Sequence, residues 1–250
     1  MQRRSAPGTR CDIISGITRR ITPLSNQPSS LLSLGAARPS LTGQAYRKLE
    51  EMIATLELPP GAVLSEAQLI EALDIGRTPI REALQRLAVE GLVEILPRKG
   101  ILVSDTNPQK QLLLLEVRRE LDRLMARTSA VRARTDEREQ FNVVANNMEA
   151  AATARDGVAF MRHDVEFNAL LAAACHNEYA KRAMRLINGL SRRFWFMHFQ
   201  RSADLPLCAR LHANMARAIS AGDPDGAAIG ADALVDYVEI FTRATIDNVP

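Results

Sequence analysis

Apolar residues recur three and four positions apart along most of the chain, and the breaks in that rhythm mark its elements. Ala45, Leu49, Met52 and Ile53 share one helical face and predict a first helix over about Thr42–Leu56, stopped by Pro59, Pro60 and Gly61. Ser65 followed three residues later by Gln68 is a capping box, and Leu64 and Leu69 form a hydrophobic staple around it. A second helix therefore starts there, and Gly76 is the residue expected to close it. A third helix begins at once. Thr78 is its expected cap, Pro79 suits the first helical position, Ile80, Ala83, Leu84, Leu87 and Ala88 form its apolar stripe, and Gly91 ends it. Over 93–103 the period changes: Val-Glu-Ile-Leu-Pro-Arg-Lys-Gly-Ile-Leu-Val puts two β-rich segments around a tight basic tip, which reads as a hairpin. Asn107 and Pro108 mark a short linker. From about 109 helical periodicity resumes, broken near Thr135–Asp136, Arg155–Gly157, His176–Asn177, Asp204–Pro206 and Gly222–Pro224, which predicts about six further helices and no strand.

The expected fold is mainly α. A winged helix-turn-helix of three helices and a β-hairpin wing occupies 41–105, and an all-α helical bundle occupies 106–250. Residues 1–40, rich in Ser, Pro, Gly and Arg and without a sustained period, read as a disordered extension. No apolar run reaches the length of a bilayer span, which argues for a cytoplasmic protein without a membrane partner. Cys11, Cys175 and Cys208 are scattered and lack metal-ligand spacing, as expected of free thiols in a reducing compartment. The formal net charge of +3 suggests affinity for nucleic acid, but its distribution removes that argument. Residues 1–40 carry six Arg against one Asp, whereas residues 41–105 carry seven basic and ten acidic side chains. Nucleic-acid binding can rest only on where individual cations fall.

They fall in two places. The third helix presents Arg77, Thr78, Arg81 and Gln85 opposite its apolar stripe, at the end where the helix dipole favours phosphate. A helix entering the major groove by its N-terminus needs such donors, since Arg binds guanine bidentately and Thr and backbone N–H groups hold phosphates. Arg98 and Lys99, followed by Gly100, form the tip of the hairpin wing. Each feature alone also fits a capped surface helix, or a helix-turn-helix that contacts protein. Their conjunction points to double-stranded operator DNA.

Residues 64–103, from Leu-Ser-Glu-Ala-Gln-Leu through Arg-Thr-Pro-Ile-Arg-Glu-Ala-Leu-Gln-Arg-Leu-Ala-Val-Glu-Gly-Leu-Val to the Lys-Gly wing, resemble the DNA-binding domain of GntR-family repressors. The resemblance implies that Arg77, Thr78 and Arg81 read the operator and that Gly100 is the wing glycine. Ala67 stands where some members carry Arg, and Gly76 where Ser or Thr is frequent, so fewer contacts are expected of this head. Residues 109–246 resemble the all-helical FCD ligand-binding domain of the FadR-like subgroup. The matching stretches are Glu-Val-Arg-Arg-Glu-Leu-Asp (116–122), Asp-Val-Glu-Phe-Asn (164–168), and Leu-His through Ala-Gly-Asp (211–223). This second resemblance implies a homodimer and a small-molecule effector, often a carboxylate. In some members it also implies a metal held by one Asp and three His.

Against that pattern Asp164 and His212 keep their places, Asn168 replaces one His, and the last His is absent, with Leu234 at its position by spacing. Asp164, Asn168 and His212 are therefore candidate ligands of a weakly bound divalent ion (zinc, nickel or manganese), or polar groups of a metal-free pocket; zinc and nickel normally take more nitrogen ligands. Arg118, Arg192 and Tyr237 join them as candidate effector-binding residues. Arg192 and Arg193 precede the aromatic run Phe194, Trp195 and Phe196, and a guanidinium among aromatic rings suits a carboxylate-bearing effector. The same side chains also fit interhelical or core roles. His163, His176, His198 and His212 form no recognised catalytic site, and there is no phosphate loop or nucleophile elbow. The expected function is a metabolite-responsive repressor that binds operator DNA as a homodimer. A metal-dependent enzyme on the helical domain and a helical protein-interaction module are the alternatives.

Overall fold

The structure, a computed structural model, describes residues 40–247; apart from Ser40, the extension expected over residues 1–40 lies outside the described residues. The first helix, α1 (Leu41–Ala54), is capped by Ser40, whose side chain accepts from the Gly43 N–H. The capping box forms at the start of α2 (Glu66–Leu73): Ser65 Oγ accepts from the Gln68 N–H at 3.3 Å, and Gln68 Oε1 accepts from the Ser65 N–H at 3.0 Å. The end of α2 departs from expectation. Asp74, not Gly76, takes the left-handed capping conformation (φ 51°), which a short polar side chain tolerates. Gly76 is instead the N-cap of α3 (Arg77–Val89), so Thr78 lies inside the first turn rather than capping it. The three-residue turn that results, Asp74–Gly76, buries Ile75 in the head's core with Ile80, Leu84 and Leu87.

The wing is a three-stranded sheet, one strand more than the sequence predicts. β2 (Val93–Leu96) pairs antiparallel with β3 (Gly100–Val103), with Ile95 opposite Ile101, and β3 pairs on its other edge with β1 (Val63–Leu64). Two residues are too short to show an alternation, which is why β1 escapes sequence reading. Gly100 sits at φ 106°, and a Cβ there would meet the Leu64 carbonyl oxygen at 2.5 Å, so only glycine lets β1 lie against the wing.

Asn107 and Pro108 open a helix rather than forming a separate linker. Asn107 caps α4 (Pro108–Arg132) by accepting from the Lys110 N–H, and Pro108 takes the first position. Five more helices follow, at the predicted breaks: α5 (Thr135–Thr153), α6 (Gly157–Ala174), α7 (Glu178–Ser202), α8 (Leu205–Ala221) and α9 (Pro224–Asp247). α9 lies along α4, and α5 lies along α8, around a core that includes Met125, Phe141, Phe160, Phe167 and Phe194.

The head is fastened to this bundle through α7. Leu190 packs on the head's core, and Gly189 allows Leu92 to approach so closely that a Cβ would lie 2.8 Å from Leu92 Cδ1. Arg193, 1% exposed, donates to the carbonyls of Ser104 (2.8 Å) and Asp105 (3.1 Å) in the connection between wing and α4.

Candidate nucleic-acid interface and effector cavity

Helix α3 buries Ile80, Ala83, Leu84 and Leu87 against α1 and leaves Arg77, Thr78, Arg81 and Gln85 exposed. Its first turn contains no acidic side chain, and its N-cap Gly76 makes no side-chain cap bond. The first-turn N–H groups therefore keep their capacity for an outside acceptor, and the dipole is not offset by a carboxylate. Arg81 is not free: its Nε donates to both carboxylate oxygens of Glu66 on α2 at 2.8 Å. Sequence reasoning missed that partner, because fifteen residues and a turn separate the two. At the wing tip Arg98 and Lys99 are both exposed, and Arg98 adopts φ 61° in the turn closed by the Lys99 N–H on the Leu96 carbonyl. Thr42 of α1 donates to Glu82 of α3 at 2.6 Å, and Arg86 of α3 lies 4.0 Å over the Tyr46 ring. The recognition helix and α1 are thus tied by polar as well as apolar contacts.

The second site is a cavity of about 440 Å³ bounded by α4, α6, α7, α8 and α9 and, on one side, by Tyr46 and Glu50 of α1. Its apolar lining includes Leu115, Phe160, Met161, Met184 and Leu234. Of the six predicted effector residues, five line it: Arg118, Asp164, Asn168, Arg192 and His212. Tyr237 does not. Its hydroxyl donates to the Asp204 carbonyl at 3.1 Å, fastening the α7–α8 connection, because its position on α9 turns the ring towards that connection.

The three cations in the interior of the cavity, Arg118, Arg192 and His212, each have a carboxylate; Lys181, exposed at its rim, has none among the described residues. Arg118 Nε donates to Asp122 Oδ2 at 2.9 Å and its Nη2 to Asn168 Oδ1 at 3.2 Å. The His212 Nδ1–H donates to the Cys208 carbonyl at 2.9 Å, which aims Nε2 at Asp164 Oδ1, 3.2 Å away. Arg192 pairs with Glu50 of the head at 2.5 Å. Burial opposes the charged imidazole, but Cys208 and Asp164 outweigh it and push the His212 pKa up to about 10. Burial likewise opposes the Asp164 carboxylate, and His212, with Arg118 and Arg192 behind it, holds its pKa below the usual range. Asp122 goes the other way: burial raises its pKa despite Arg118, and its Oδ1 has no partner. Two further polar atoms of the lining residues are buried without a partner, Trp195 Nε1 and Asn188 Oδ1.

These residues do not fit a divalent ion. The Arg118 guanidinium occupies the Asn168 oxygen, the Asn168 amide N–H donates back to Asp164, Leu234 supplies no donor, and the His212 ring nitrogen is engaged by Asp164. Among the described residues no group of three or more His, Cys, Asp or Glu is arranged to hold a metal. The donor set of zinc or nickel needs more nitrogen than this.

Two family signatures match the chain: "Bacterial regulatory proteins, gntR family" over residues 41–103 and "FCD domain" over residues 113–236. An uncharacterized HTH-type transcriptional regulator of Streptomyces ambofaciens is 49% identical over 65 residues, 26% of this chain and 28% of its own length. The HTH-type transcriptional repressor RspR of Escherichia coli is 24% identical over 182 residues, 73% of this chain and 80% of its own. Among solved structures, E. coli McbR/YncC superposes with a TM-score of 0.70 at 18% identity, over 83% of this chain and 99% of that one, which is a likeness of fold. These relatives are transcriptional regulators rather than enzymes. Among the described residues no helix is long and apolar enough to cross a membrane. With a head matching one signature and a helical body matching the other, the chain belongs to the GntR family of bacterial regulatory proteins and carries an FCD domain.

Proposed function

We propose that the chain is a cytoplasmic, metabolite-responsive transcriptional repressor that binds double-stranded operator DNA as a homodimer. The observation that carries the reading is the exposed first turn of α3, with Arg77 and Thr78 beside open backbone N–H groups and no acidic side chain in that turn. Arg81 and Gln85 extend this surface, and Arg98 and Lys99, with Gly100 shaping the turn, reach the flanking backbone. Repression rather than activation is favoured by the family resemblance and by the similarity to RspR, a transcriptional repressor.

Dimerisation is supported by α4. Leu113, Val117, Leu124 and Val131 are all exposed on the face opposite its buried residues, an apolar stripe about 27 Å long at a rise of about 1.5 Å per residue. A symmetric pairing of such stripes buries them and sets two heads side by side for two half-sites. The cavity is the effector site, and its guanidinium groups, Arg118 and Arg192, suit an organic acid. This reading needs no metal.

A mobility-shift assay on the DNA upstream of the gene tests it. Arg77→Ala and Arg81→Ala are each expected to weaken specific binding by roughly 1–3 kcal/mol, with little change on unrelated DNA of equal length. Specific binding unchanged in both variants removes the contact assignment. A chelator is expected to leave both operator binding and its effector response unaltered, and a response lost on chelation would restore the metal.

A further inference from the structure

We infer that Glu50 is a built-in carboxylate plug of the effector cavity, and that an organic carboxylate binds by taking its place on Arg192. The inference rests on the effector reading above and concerns how that site is coupled to the head. As it stands the interior of the cavity is electrically closed, Lys181 being exposed at the rim. Arg118 is matched by Asp122, His212 by Asp164, and Arg192 by Glu50. An anion that passes Lys181 into the interior gains a cation there only by displacing a resident carboxylate.

The three residents differ in how they are held. Asp122 and Arg118 lie four residues apart on one helix, and the Asp122 side chain is 4% exposed. Asp164 and His212 sit on α6 and α8, both within the helical body, and His212 is fixed from behind by Cys208. Glu50 alone comes from the other unit, on α1, and reaches the cavity past Gly189, where a Cβ would stand 3.4 Å from its carboxylate oxygen. Removing it from Arg192 disturbs no helix of the body; it loosens the head.

What the ligand must carry follows from the lining. Its carboxylate meets Arg192, and its apolar body faces Phe160, Met161 and Leu234. The route to DNA is one helix long. α1 carries Glu50 and Tyr46 on its cavity side and packs Ala45, Leu49 and Ile53 in the same core as the buried stripe of α3. Arg185 of α7 adds a second, looser clasp, 3.7 Å from the buried Glu90 that also accepts from the Tyr46 hydroxyl. A ligand that breaks the first clasp shifts the head's pose by its differential affinity for the open and closed arrangements.

The test uses the full chain and two probes, benzoate and its neutral isostere benzamide, titrated calorimetrically against the wild type, Glu50→Gln, Arg192→Gln and Arg118→Gln. Removing the competitor is expected to tighten benzoate binding about tenfold in Glu50→Gln, because the binding-competent state no longer has to be opened first. Arg192→Gln is expected to lose benzoate binding, and benzamide to be indifferent to Glu50. Hydrogen exchange without ligand is expected to quicken in α1 of Glu50→Gln. Benzoate bound equally by the wild type and Glu50→Gln, yet lost in Arg118→Gln, overturns the plug while leaving the effector cavity standing. Benzoate bound by no variant overturns both. Should Glu50→Gln not fold, Glu50→Asp, which shortens the reach to Arg192, is expected to give the same tightening in smaller degree, and its absence refutes the inference.

Discussion

Replacing Arg193 by Met tests whether head and body are held together by one buried guanidinium. The side chain is 1% exposed and donates to two carbonyls of the connecting segment, Ser104 and Asp105. Hydrogen bonds to a charged group are worth about 1.5–3 kcal/mol each, so the pair supplies about 3–6 kcal/mol. Against this stands the cost of burying the charge, which pushes the Arg193 pKa down from 12.5 to about 10 and corresponds to about 3 kcal/mol. Met keeps much of the volume and escapes that cost but leaves both carbonyls without donors. The net loss is therefore up to about 3 kcal/mol, and in a chain of this size each kcal/mol lowers Tm by about 2–4 °C. The wild type is expected to unfold in one calorimetric transition and Arg193→Met in two, the head separating from the body. Arg193→Lys, which keeps the charge but not the fork, is expected to fall between them. A single transition at the wild-type temperature, with amide exchange over residues 104–106 unchanged, would show that Arg193 is not the fastener.

Gly100→Ala puts a Cβ at 2.5 Å from the Leu64 carbonyl oxygen at a positive φ, so it is expected to detach β1 from β3 and cost more than about 2 kcal/mol in urea unfolding, whereas Gly76→Ala meets no atom within 4 Å and costs far less. The Asp164–His212 pair gives a signed pH dependence. The His212 pKa, raised from 6.5 to about 10, contributes stability that is full below pH 6.5 and fades as the pH rises towards about 10; the depressed Asp164 pKa contributes stability present above pH 3.8 and lost below it. The stability difference between the wild type and His212→Gln is therefore expected to shrink from pH 6.5 to 10 in denaturant titrations, and a difference that stays constant contradicts the charged pair. Val117→Asp with Leu124→Asp charges the outward stripe of α4 and is expected to yield monomers by sedimentation with helix content intact; dimers that persist move the interface elsewhere.

The helices were legible because their signals are local. Ser65 with Gln68, the breaks along the body, and the basic wing turn all lie within a few residues of one another. The handover from α2 to α3 was not, since Asp74 and Gly76 can each end a helix and the buried seat of Ile75 decides between them. Arg118, Asp164, Asn168 and His212 were found through a family pattern and Arg192 through its place beside an aromatic run, and all five converge on one cavity. Their partners were not found. Glu50 reads as an ordinary helical acid, and nothing in its neighbourhood tells that it meets Arg192 some 140 residues on; the spacing of Asp122 from Arg118 is that of a helical ion pair, but its burial does not show in it. Tyr237 shows the opposite failure, a residue close to a family position whose side chain serves a loop.

The acidic balance of the head, seven cations to ten anions over residues 41–105, has a consequence for how the protein moves through a cell. Random DNA attracts a protein through its phosphates alone, and the salt sensitivity of that attraction grows by about 0.9 in log–log slope for each phosphate contacted. Here few cations are on offer, and one of them, Arg81, is already held by Glu66. Arg81 leaves Glu66 at a net gain only where a base rewards it. The head by itself is then expected to hold random DNA weakly and with a shallow salt slope.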